Sequence, residues 1–160
     1  MKTAIVFSST HGTTEKASQL LGEHIKGDVE IIDLRKCPNP SLEEYNSVIL
    51  GSSIHAGSGQ SRVNQFIKKH QSVLITKQIG LFLCCMYEGD QAVKQFETAY
   101  PEELREISVA NGLFGGEFIF SKMNFLERQI VKKVSGITND VSKLDVNEIK
   151  KFADKFNANT

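Results

Sequence analysis

Short, unbroken apolar runs alternate along this chain with longer stretches whose apolar residues recur every three or four positions. That alternation confines it to folds in which a mostly parallel sheet lies between helices, because strands apolar on both faces must be covered on both. Strands are predicted at residues 3–7 (TAIVF), 29–34, 47–50 (SVIL), 78–85 (QIGLFLCC) and 112–120. The fourth is the most apolar and should run through the centre. Helices are predicted at 13–25, with Ala17, Leu20, Leu21 and His24/Ile25 on one face, and at 61–70, with Val63, Phe66 and Ile67. Two more, divided at Pro101, should fill the acidic stretch 88–106, and the last two should cover 123–135 and 145–156. The 160 residues show no repeat or linker and read as a single α/β domain, a three-layer sandwich around a five-stranded parallel sheet. Such sheets bind ligands beyond the C-terminal strand edges where strand order reverses, which points to the loops after the first, third and fourth strands.

Charge and cysteine content narrow the function classes. Nineteen Lys and Arg balance nineteen Asp and Glu, whereas a general nucleic-acid binder should show a basic surplus. The three cysteines, Cys37 and the adjacent Cys84 and Cys85, make no disulfide framework, so a reducing, cytoplasmic setting is expected. The first apolar stretch, 4–7, is too short for a secretory signal. The longest run, 79–87, falls short of the ~20 residues that span a bilayer. His11, His24, His55 and His70 show no metal-ligand spacing with one another or with cysteine, and no metal site is expected.

The loop after the first strand, Ser8-Ser9-Thr10-His11-Gly12-Thr13-Thr14-Glu15, runs straight into the first helix. Its first seven positions hold five hydroxyl side chains and no Lys or Arg. Capping a helix needs one such hydroxyl, at most two. The surplus, set around free N–H groups and the positive end of the helix dipole, suits a phosphate monoester. Gly12 lets the backbone approach the phosphate oxygens. Other phosphate chemistries lack their residues. No G-x-x-x-x-G-K-[ST] string occurs, and the approximate dinucleotide fingerprint at 57–62 has Arg62 in place of its third glycine. Ser8-Ser9 and Gly51-Ser52 stand where a phospho-acceptor domain needs carboxylates for Mg²⁺.

The segment from Ser9 to Glu15 resembles the FMN-phosphate loop of the flavodoxins, with hydroxyl residues at Ser9 and Thr14, glycine at the fourth position and the acidic residue just inside the helix. His11 stands where a hydroxyl residue is common and would serve through its backbone N–H. Within that group the chain is most similar to the menaquinone-dependent protoporphyrinogen oxidase branch, through Phe7-Ser8, 49–54 (ILGSSI), 66–70 (FIKKH) and 132–136 (KKVSG). The resemblance implies a flavodoxin-like fold with non-covalent FMN. Its phosphate would be held by Ser9, Thr10, His11, Gly12, Thr13 and Thr14. The ring would lie between Ser52, Ser53, Ile54, His55 and Gly57 on one side and Cys85, Met86 and Tyr87 on the other. Tyr87 is the one obvious stacking partner, with ordinary packing at the sheet edge as its other role. His55 is the candidate catalytic residue for proton exchange, since an imidazole pKa of about 6.5 suits that work. Cys84 and Cys85 end a buried strand and read as structural.

Divided along the chain, the balanced charge separates. Residues 1–120 carry 11 basic and 14 acidic side chains, and residues 121–160 carry 8 and 5. A flavodoxin-type shuttle would use the acidic stretch 88–106 to meet a soluble redox partner protein. An enzyme passing electrons from a reduced tetrapyrrole or similar donor to a quinone would use helix 123–135. There Met123, Leu126, Ile130 and Val134 make one face, decorated by Lys122, Arg128, Lys132 and Lys133. Such a helix can rest peripherally on the inner face of an anionic membrane, and the same pattern describes a helix packed on a core. A flavin-free binding module is the third class. The expectation carried forward is an FMN-binding redox protein, with the oxidase-type activity as its leading enzymatic version.

Overall fold

The computed structural model describes residues 1–55 and 58–159, with the backbone alone at His55, Ser58 and Gly59. Its elements follow in the order β1 (Lys2–Phe7), α1 (Thr13–Gly22), β2 (Asp28–Asp33), β3 (Ser47–His55), β4 (Ser58–Gly59), α2 (Ser61–Leu74), β5 (Gln78–Cys84), α3 (Gly89–Ala99), α4 (Glu102–Ile107), β6 (Ser108–Leu113), β7 (Glu117–Phe118), a 3₁₀ turn (Phe120–Lys122), α5 (Phe125–Ser135), β8 (Val141–Ser142) and α6 (Val146–Asn157). Five strands form the parallel sheet β2-β1-β3-β5-β6. The chain leaves β1 toward one edge and returns to build toward the other, so the order reverses between β1 and β3. This is the flavodoxin-like strand order.

Alternation along each strand supplies both cores. Ala4, Val6, Val48, Leu50, Leu81, Leu83 and Cys85 face one side, where Val63, Phe66 and Ile67 of α2 and Phe96 of α3 cover them. Ile5, Ile49, Phe82 and Cys84 face the other, against Ala17 and Leu21 of α1 and Phe152 and Phe156 of α6. Phe82 stacks on Phe114 at 4.6 Å between ring centres, and Phe152 meets Phe114 edge-on at 5.4 Å. The adjacent cysteines therefore lie in opposite cores.

The structure moves several predicted boundaries. The fifth strand is Ser108–Leu113, not 112–120. Asn111-Gly112, a pair that ordinarily marks a turn, lies inside this strand because a Cβ at Gly112 would come within 2.5 Å of Phe114 and 2.9 Å of Phe152. Beyond Phe114 the chain leaves the sheet, and residues 117–142 form an excursion in which β7 pairs antiparallel with β8. Helix α1 ends at Gly22, leaving His24 in the following turn, where its N–H donates to the Leu21 carbonyl. Helix α2 continues to Leu74. Helix α5 starts at Phe125, because Asn124 and Glu127 form a capping box.

Candidate functional site

The C-terminal ends of β1, β3 and β5 open into one cleft of about 300 Å³, walled on its outer side by the 117–142 excursion. At one end lies the hydroxyl loop. Gly12 has a left-handed backbone (φ 92°) as it enters α1, and its N–H donates to Ser9 Oγ at 2.9 Å. That bond folds the loop back on itself, and Arg35 Nη1 fixes it from behind by donating to the Ser9 carbonyl at 2.7 Å. Gln60 ties it to the β3 side, its amide donating to Thr10 Oγ1 at 3.3 Å and to Ser53 Oγ at 3.1 Å.

Thr14 tests whether a phosphate fits. Its hydroxyl is fully buried and has no hydrogen-bond partner among the described residues. It lies near Cys84, whose thiol burial pushes up to about 12, and the hydroxyl opposes that shift without reaching hydrogen-bond geometry. A buried hydroxyl left unpaired costs about 1–3 kcal/mol. An anionic oxygen at the helix N-terminus would accept from it and remove that cost. The residues present therefore fit the phosphate of a flavin mononucleotide.

A carboxylate also reaches this end. Glu117 of β7 accepts from Thr13 Oγ1 at 3.2 Å and Ser142 Oγ at 2.7 Å and pairs with Lys16 at 3.0 Å, its side chain only 4% exposed. Burial pushes the Glu117 carboxyl up, but these bonds outweigh it and hold it below the ordinary carboxylate value. Thr13 thus points its hydroxyl at the excursion. His11 Nε2 lies 3.5 Å from Glu127 of α5, a second link across the cleft.

The other end is apolar. Ile54, Cys85, Met86 and Tyr87 line it from the sheet, and Phe118, Met123, Ile130 and Val131 line it from the excursion. Tyr87 is half exposed at the rim, its carbonyl accepting from the Cys85 thiol at 3.7 Å. Walls of this composition suit the faces of a planar aromatic ligand.

Of the residues expected from sequence, the cleft brings together Ser9, Thr10, His11, Thr13, Thr14, Ser53, Ile54, Cys85, Met86 and Tyr87. Ser52 does not line it. Its hydroxyl is buried behind the loop, accepting from the Gln60 N–H at 3.3 Å and donating to the Ser53 carbonyl. Gly57 and the His55 side chain lie outside the described residues. Sequence reasoning missed Gln60, Glu117, Phe118 and Glu127. A charged residue directly after Gly115-Gly116, in a stretch read as buried strand, was the signal for β7.

A family model described as flavodoxin domain matches residues 4–145. Protoporphyrinogen IX dehydrogenase [quinone] of Escherichia coli K12 is 31% identical over 77 residues, 46% of this chain and 42% of that protein, so the match spans less than half of the relative's length. The protein of the same description from Leishmania major is 23% identical over 174 residues, 98% of this chain and 75% of its own. Among solved structures, oxidised Flavodoxin 2 from Bacillus cereus superposes with a TM-score of 0.65 at 19% identity, covering 100% of both chains. The same fold is thus present at low sequence identity.

Proposed function

The chain belongs to the flavodoxin domain family and is a flavin redox protein whose cofactor is FMN; from that premise we propose that it is an oxidase-type enzyme, passing electrons from a reduced tetrapyrrole such as protoporphyrinogen to a quinone. The observation that carries this reading is the position of α5. Its Ile130 and Val131 help close the apolar end of the cleft, while Phe125, Leu126 and Val134 are 77%, 67% and 69% exposed. An apolar donor or acceptor could thus reach the cleft rim along an apolar surface. The two relatives described as protoporphyrinogen dehydrogenases support the same substrate class.

FMN, when bound, supplies reversible electron uptake at its ring. The chain's own part is to hold and shield it. Ser9, Thr10 and Thr14 with the loop N–H groups would hold the phosphate, and Met86, Tyr87, Ile54 and Ile130 would flank the ring and exclude water. His55 is the proposed proton-exchanging residue. Glu88 and Asp90 beside Tyr87 disfavour added negative charge, weakly because solvent screens them. Among the described residues no helix is long and apolar enough to cross a membrane. On this reading α5 instead rests on an anionic bilayer, with Lys132 and Lys133 at its C-terminal end beside the apolar side chains.

A plain shuttle is the second reading, favoured by the acidic side chains on α3 and α4. Protoporphyrinogen oxidation with menaquinone separates the two, since activity no higher than that of free FMN leaves only the shuttle. Quenching of FMN fluorescence at micromolar protein is expected on either. Thr14→Val should weaken FMN about tenfold and hardly change riboflavin; equal losses for both would remove Thr14 from the phosphate site. Binding to phosphatidylglycerol vesicles that disappears in Leu126→Ser/Val134→Ser tests the bilayer contact, and binding left intact would refute it.

A further inference from the structure

The hydroxyl loop carries no cation of its own, and every basic group close to it except one already has an acceptor. Lys16 is paired with Glu117 at 3.0 Å, Arg35 donates to the Ser9 carbonyl, Lys36 lies 3.9 Å from Glu15, and His11 lies 3.5 Å from Glu127. The exception is Lys122, at the end of the 3₁₀ turn in the excursion. A Cβ placed on Gly12 would sit 3.0 Å from Lys122 Nζ, so the ammonium lies directly against the open side of the loop's glycine. No carboxylate lies within ion-pair distance of it among the described residues.

The turn that delivers it is anchored. The Phe120 N–H donates to Asp140 Oδ1 at 2.7 Å, the Lys122 N–H to the Ile119 carbonyl at 3.0 Å, and the neighbouring Met123 side chain is buried. The stem of Lys122 therefore leaves a fixed point, and its ammonium reaches the Gly12 side of the hydroxyl loop. An ammonium with no carboxylate partner among the described residues, against the N-cap glycine of a helix whose first turn holds the buried Thr14 hydroxyl, itself without a hydrogen-bond partner among those residues, is placed for a dianionic ligand.

We propose that Lys122 is a ligand of the flavin phosphate, closing the hydroxyl cradle from the excursion side on the face that Gly12 leaves free. The assignment rests on the FMN reading of the cleft. It adds a cation to a phosphate site that otherwise works through hydroxyls and backbone N–H groups. It also couples the excursion to the cofactor, since only a phosphorylated flavin engages residues from both sides of that end of the cleft. Gly12 then has two functions: it takes the left-handed backbone that starts α1, and it leaves the lysine room.

The test is a fluorescence titration of FMN and of riboflavin with the full chain, Lys122→Met and Lys122→Arg, each at low and at high salt. Lys122 is exposed, and far-UV circular dichroism should be the same for all three proteins. Lys122→Met should raise the FMN Kd about tenfold at low salt, leave riboflavin unchanged and flatten the salt dependence of FMN binding, while Lys122→Arg keeps most of the affinity. FMN affinity unchanged in Lys122→Met, or equal losses for FMN and riboflavin, would overturn the assignment while the FMN reading stands. A wild-type protein that binds neither flavin would overturn both.

Discussion

The loop after β1 and the excursion between β6 and α6 face each other across one cleft, yet they are held in place by different forces. The loop leaves a strand whose Ala4, Ile5 and Val6 are fully buried, and it enters a helix whose Ala17 and Leu21 pack without solvent exposure. Its position is set by the hydrophobic cores on both faces of the sheet. The excursion has almost no core of its own. None of the α5 side chains is buried, and the segment is attached through Glu117, the β7–β8 pairing, Met123 and the His11–Glu127 pair. One half of the site is thus placed by the two cores, and the other half is a wall attached mainly by polar contacts, with Ile130 and Val131 toward the cleft and Leu126 and Val134 outward.

The largest contrast should appear in stability. Phe82→Ala removes the ring that stacks on Phe114 and lies edge-on to Phe152 at 6.4 Å, and should cost about 3–5 kcal/mol in urea denaturation. Leu126→Ser on α5 should stay within about 0.5 kcal/mol of wild type. A loss at Leu126 approaching that at Phe82 would mean that α5 is covered by protein, and the contrast would fail.

A smaller effect should come from Glu117, where the two halves meet. Glu117→Gln should cost about 1–2 kcal/mol, because the buried carboxylate takes bonds from Thr13, Lys16 and Ser142 that an amide serves less well. The folded carboxyl titrates below its ordinary 4.5. Its contribution is therefore complete above that value and is lost as pH falls through the lower folded value. Urea midpoints measured between roughly pH 6 and pH 3 should fall more steeply for wild type than for Glu117→Gln; parallel curves would show that the Glu117 carboxylate does not hold β7 to the loop.

The same division explains what could be read from the chain beforehand. Runs such as TAIVF and QIGLFLCC announce buried parallel strands because each residue faces a core, and the hydroxyl loop announces an anion site because its residues are local in sequence. The excursion follows neither rule. Its attachments, Glu117 to Thr13 and Glu127 to His11, join residues more than a hundred positions apart, and no local pattern encodes them. Gly112 likewise depends on packing rather than on a local pattern. Its need for glycine comes from the Phe114 and Phe152 rings above it, not from a turn. The stripe Met123, Leu126, Ile130, Val134 was legible, but periodicity alone left its partner open. In the structure Met123 and Ile130 line the cleft while Leu126 and Val134 face outward.

The least disruptive change isolates the second link across the cleft. Glu127→Gln keeps a side chain that can complete the Asn124 capping box, so α5 should persist. It removes the negative charge 3.5 Å from His11, in a pair whose side chains are about a fifth to a quarter exposed. Partly exposed pairs contribute little to stability, and the urea midpoint should correspond to a change under about 0.5 kcal/mol. The carboxylate nevertheless opposes any dianion bound at the adjacent loop, by an amount that salt screens. Glu127→Gln should therefore tighten FMN about twofold at low salt, with the gain vanishing at high salt and no change for riboflavin. Weaker FMN binding in this variant would mean that the His11–Glu127 contact matters more for positioning α5 against the loop than its charge does for repelling the phosphate.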